Sequence, residues 1–115
     1  MDATDARALA DLDAIAQAGL VATGEVSATE LLEAAILRLE GARDLNAVIA
    51  DLFDRGRQQA AALDASGGLR NGGSGPLAGV PFLLKGLGAS LAGAPEAMGS
   101  WATTARPSRR SSGRR

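Results

Sequence analysis

The hydrophobic positions of the chain change period several times, and each change marks an element. Leu9, Leu12, Ala16 and Leu20 recur at helical spacing, predicting a first helix from Thr4 to about Ala22. Gly24 supplies its stop. In "SATELLEAAILRLE", Leu31, Leu32, Ala35, Ile36 and Leu39 line one face, while Glu33, Arg38 and Glu40 lie away from it. Ser27 and Glu30 stand at capping-box spacing, so hydroxyl and carboxylate each satisfy a backbone amide of the first turn. The short, partly β-branched run Leu45 to Ala50 predicts a strand. A third helix follows from about Asp51 to Ala65 with the stripe Phe53, Gly56, Ala60 and Leu63, where Gly56 costs about 1 kcal/mol relative to Ala. "SGGLRNGGSGP" is a glycine-rich loop. Gly79 to Leu84 predicts a second strand, apolar on both faces, of the kind found inside a sheet covered by helices.

Two strands and three helices cannot cover both faces of an interior strand. The expected fold class is therefore α/β: the N-terminal helices and first strands of a larger mixed sheet, incomplete within these 115 residues. The Val80–Leu84 run, left without neighbours, would lose on the order of 25 cal/mol per Å² of apolar surface left wet.

Composition narrows the chemistry. There is no cysteine and no histidine, which removes thiolate catalysis, disulfides, the usual general base and the commonest metal ligand. No apolar run approaches the roughly 18 residues of a membrane span. The acidic "MDATDARALADLD" start is unlike a secretory signal, so a cytoplasmic protein is expected. The net charge of −1 conceals an asymmetry. Residues 1–98 carry seven basic and thirteen acidic side chains, hence −6, and residues 99–115 carry five arginines and no acid, hence +5. The tail "WATTARPSRRSSGRR" has no Val, Ile or Leu, so it is expected to be a disordered basic segment outside any core.

Eleven arginines accompany a single lysine, Lys85, at the end of the second predicted strand. Active sites of open α/β sheets form at the carboxyl ends of strands. A lysine whose stem lies in apolar surroundings can lose its proton and serve as base toward a serine. Position alone favours a plainer reading, a strand-end lysine snorkelling its ammonium into water. "GGSGPLAG" lacks the lysine and hydroxyl spacing of a phosphate loop and reads as a connector. The arginine tail, without a stacking platform, supports only nonspecific electrostatics and no specific nucleic-acid partner. Asp11, Asp13, Glu30 and Glu33 fall at solvent-facing helical positions, with no paired catalytic carboxylates and no metal site.

Taken in order, "GEVSATELLEAAILRLE", "LNAVIADLFDRGRQQAAALD", "GPLAGVPFLLKGLGA" and "AGAPEAMGS" resemble the N-terminal part of the amidase signature family, over about residues 8–100. The most specific piece is "GPLAGVPFLLK" followed by a loop and "MGS". The resemblance implies a Ser–cis-Ser–Lys triad that hydrolyses carboxamides or transfers their nitrogen, without metal or organic cofactor. It implies that Lys85 is the catalytic lysine, drawing a proton from the nucleophilic serine through the bridging cis-serine. An acyl-enzyme would form and water would resolve it. Small amide substrates are the implied partners, and the family places most of their pocket downstream.

Two departures qualify the match. The family has Asp directly after the lysine, where this chain has Gly86. Its serine-rich signature, which holds both catalytic serines, has no counterpart in these residues; Ser100 matches a "GS" that is not the nucleophile. Residues 1–100 are thus expected to be the N-terminal part of an amidase domain, truncated or frameshifted after about residue 100, with 101–115 out of frame and no activity of its own. The alternatives are a small helical interaction module whose arginine tail binds an acidic partner, or a reading frame with no function.

Overall fold

In a computed structural model, residues 2–70, 75–85 and 91–92 are described. The chain divides into two compact units, Met1–Pro81 and Phe82–Arg115. The predicted tail, the "KGLG" loop after Lys85 and the "MGS" segment lie outside the described residues.

The first unit contains α1 (Ala3–Ala10), α2 (Ala14–Thr23), α3 (Ala28–Glu40), a 3₁₀ turn (Arg43–Leu45) and α4 (Phe53–Ser66). The single first helix expected over 4–22 is in fact two. Asp13 adopts extended backbone and its carboxylate accepts from Ala16 N at 2.8 Å, capping α2 afresh. Asp2 and Asp5 form a capping box that opens α1. Gln17 Nε2 donates back to Leu9 O at 2.8 Å, joining the Asp11 and Leu12 amides on that carbonyl and tying α2 to the end of α1. Gly24 ends α2 with φ +79°, the left-handed cap that glycine adopts without Cβ strain.

The helix predicted after Ser27 forms with both halves of its capping box in place. It is the centre of the unit, packing against both α1 and α4. Leu31 and Ile36 are buried as the stripe requires, and Ala28 and Ala34 join them. Val21, Ala28, Leu31, Ala60 and Leu69 form the core, with Leu9, Val26, Leu32 and Ala78 packed against it. Leu69 belongs to the segment predicted as plain loop, yet it is 5% exposed. Gly79, at φ +82°, brings backbone so near this core that an added Cβ would stand 3.1 Å from Val21 Cγ1.

The α/β expectation is not met: among the described residues the structure is helical and contains no strand. Arg43–Leu45 instead forms a 3₁₀ turn closed by Asn46, whose φ of +49° turns the chain out of line with a strand. Residues 47–52 continue as irregular chain. Val80 N donates to Leu77 O, closing a turn, and residues 80–85 continue without a regular element. The physical reason is that a strand is stabilised by a neighbour's backbone donors and acceptors. An apolar, β-branched run states a preference, and without a ladder partner that preference is not realised.

Candidate functional site

Lys85, the one residue expected to carry chemistry, belongs to the second unit. It is exposed, at the end of the irregular run Phe82–Lys85. The apolar side chains before it are exposed too: Phe82 by 84% and Leu83 by 70%. The described residues therefore do not place the lysine stem in an apolar enclosure. Gly86 and Ser100 lie outside them.

In the first unit, a surface depression of about 520 Å³ lies between α1 and α3, floored by Leu9 and Val26 and walled by Asp5, Glu25, Glu30 and Glu33. Each wall carboxylate already has a structural partner. Asp5 accepts from Asp2 N, Glu25 from Thr23 Oγ1, and Glu30 from Ser27 N. Glu33 accepts from Arg57 Nε at 2.6 Å, and that guanidinium holds its carboxyl below the usual range. Each of these acids is thus already engaged as an acceptor within the fold. No cluster of potential metal ligands occurs among the described residues. Of the four acids expected on a solvated face, Asp11, Asp13 and Glu30 are exposed, with Asp13 also capping α2, whereas Glu33 is half-buried and paired with Arg57.

Two polar constellations escaped sequence reasoning. Asp64, near the end of α4, accepts from Ala28 N at 2.9 Å, Thr29 N at 3.0 Å and Thr29 Oγ1 at 2.6 Å. Partial burial raises its pKa, but these donors outweigh that and hold it below the ordinary carboxylate value. Together with the capping box, Asp64 satisfies every amide in the first turn of α3. The second constellation is Arg43, whose guanidinium forks onto Glu40 and Asp51 and lies 5.6 Å from the Phe53 ring centroid. No local pattern marks the first, because its partners are some 35 positions apart, whereas in the second Glu40 stands three residues before Arg43 and Asp51 eight after it.

The comparisons with known proteins bear on the chemistry. The chain is 46% identical over 76 residues to the 6-aminohexanoate-cyclic-dimer hydrolases of Pseudomonas sp. (strain NK87) and Paenarthrobacter ureafaciens. It is 40% identical over 79 residues to a glutamyl-tRNA(Gln) amidotransferase subunit of Lachnospira eligens. By sequence, this chain is similar to members of the amidase signature family. The similarity to the hydrolases covers 65% of the chain and 13% of their length, and that to the amidotransferase subunit 67% and 16%. No family profile and no solved structure matches the chain. The amidase resemblance drawn from "GPLAGVPFLLK" and its flanks thus has independent support, whereas the sheet expected with it is absent from the described residues. Among those residues no helix is long and apolar enough to cross a membrane.

Proposed function

We propose that this sequence encodes part of an amidase in which Lys85 is the base of a Ser–cis-Ser–Lys triad acting on carboxamide C–N bonds. The observation that carries the reading is the similarity to two differently named amide-processing proteins, a cyclic-dimer hydrolase and an amidotransferase subunit. Their shared chemistry is displacement at a carboxamide carbonyl. A small amide is accordingly the substrate class. In the step assigned to Lys85, the neutral amine takes a proton from a bridging serine as that serine takes one from the nucleophile. The nucleophile's oxygen then bonds to the carbonyl carbon, the C–N bond breaks, and the substrate's nitrogen leaves with the proton that Lys85 gives back through the bridging serine. The 115 residues supply no serine-rich segment for those two serines. By themselves they have a base without a nucleophile and should show no turnover.

The test is a chimera. Residues 1–100 replace the matching segment of the Paenarthrobacter hydrolase, with and without Lys85→Ala, and hydrolysis of the cyclic dimer is followed. Lys85→Ala should lower kcat by about a thousandfold while helicity is retained. An active chimera that keeps its rate after that substitution would sink the assignment. Gly86→Asp, which returns a carboxylate beside the base, should raise the chimera's rate. For the tail, the coding DNA decides: an alternative frame past codon 100 should encode an acidic continuation leading to a serine-rich signature.

A second reading keeps one observation in its favour, the helical character of α1 to α4. A small helical interaction module would bind an acidic partner through residues 101–115. Deleting those residues would abolish a saturable interaction with a polyanion, and Lys85→Ala would leave it unchanged.

A further inference from the structure

The connection from α3 to α4 is long and short of backbone bonds. Its first part is pinned by Ala42 N to Leu39 O, Leu45 N to Ala42 O and Asn46 N to Arg43 O. Beyond Asn46 the chain stays irregular up to α4, and Leu45 and Ile49 are 72% and 67% exposed. One side chain spans this stretch. Arg43 Nε and Nη2 donate to the two oxygens of Glu40, the last residue of α3, at 3.0 and 2.7 Å. Its Nη1 and Nη2 donate to the two oxygens of Asp51, just before α4, at 3.0 and 2.9 Å. The same guanidinium stacks near Phe53, the first residue of α4, which also faces Arg57 at 6.0 Å. Two carboxylates from opposite ends of the connection thus share one planar cation.

We infer that Arg43 is an electrostatic clasp that holds the α3–α4 connection shut and releases it, at raised ionic strength, while the helices stay packed. Three features lead there. The clasp groups are roughly half exposed, so salt screens them strongly. The fork geometry needs arginine, because a lysine offers a point charge with no matched pair of donors. The α3–α4 contact survives release, because apolar burial and the Asp64 bonds hold it even where salt screens both Arg43 and the exposed Arg57–Glu33 pair. A segment with few bonds of its own, tied by one screened network, belongs at the low-stability end of a fold. The inference stands apart from the amidase reading and does not depend on it.

Limited proteolysis of the full chain at Leu45 and Ile49 tests it, with circular dichroism recorded alongside. At about 0.05 M NaCl, Arg43→Gln should be cut about fivefold faster than the wild type, with Arg43→Lys in between. At about 1 M NaCl, where the Debye length is about 3 Å, wild type and Arg43→Gln should be cut alike. Normalising to Arg43→Gln removes the protease's own salt response. Asp51→Asn opens the same clasp from its other side and should match Arg43→Gln, which covers a loss of helicity peculiar to one variant. Equal cutting of wild type and both variants at low salt, or a wild-type excess of protection that persists at high salt, would overturn the clasp.

Discussion

Replacing Asp64 by alanine probes the contact that ties α4 to the start of α3. The carboxylate accepts three hydrogen bonds, two from the amides of Ala28 and Thr29 and one from the Thr29 hydroxyl. Those amides belong to the first turn of α3, where no intrahelical acceptor exists. Losing a helix cap costs about 0.5–2 kcal/mol, and hydrogen bonds to a charged group are worth about 1.5–3 kcal/mol. Asp64 is half-buried and Ala28 is in the core, so the freed amides are partly shielded from water, and the overlap of the two ranges applies. The expected loss for Asp64→Ala is about 2 kcal/mol, with Asp64→Asn near half of that because one acceptor oxygen remains. Urea unfolding followed by far-UV circular dichroism measures it. The sign of the pH dependence follows from the depressed folded pKa. The contribution is fully present above the unfolded carboxylate's pKa of about 4 and is lost as pH falls through the lower folded value. The difference between wild type and Asp64→Ala should therefore be constant near neutrality and shrink on acidification below about pH 4. A loss under about 0.5 kcal/mol at neutral pH, the range of ordinary surface substitutions, would refute the cap.

Other substitutions test the remaining parts of the unit. Leu31→Ala, at a site 2% exposed in the core, should cost about 2–5 kcal/mol in the same unfolding assay. Ser27→Ala removes one half of the capping box and should cost about 1 kcal/mol, leaving the Asp64 contacts in place. Gly79→Ala meets both a left-handed φ of +82° and a Cβ contact of 3.1 Å with Val21, and should cost about 2 kcal/mol or more. Gly67→Ala, with φ +68° and nothing within 4 Å, bears the backbone strain alone and should cost about 1 kcal/mol in thermal melts. Equal losses at the two glycines would show that the turn after Gly75 is not seated on the core.

Helix α3 was legible in the chain because every signal for it is local. Its stripe repeats at the helical period, Ser27 and Glu30 sit three apart, and the observed range begins right after Ser27. Helix α4 and the Gly24 stop were legible for the same reason. The break between α1 and α2 left a signal too, an aspartate placed to cap Ala16 N, but continuous periodicity through Leu12 masked it. What local pattern could not decide is anything that requires a partner. Leu45–Ala50 and Gly79–Leu84 have strand composition, but a strand exists only where another chain segment accepts its backbone bonds. Leu69 looked like loop and became core because α2 and α3 offered it a surface. Asp64, which no sequence signal singles out, caps a helix distant in the chain. Lys85 is the converse case. The residues around it identify the family it resembles, and its base chemistry requires partners that only a tertiary structure brings to it. Thus sequence alone determined α3, α4, the Ser27 capping box, the Gly24 stop and the family resemblance, whose signals are contained in neighbouring residues. Tertiary structure decided the absence of strands among the described residues and the long-range caps and clasps, because each of those depends on which distant group completes a bond.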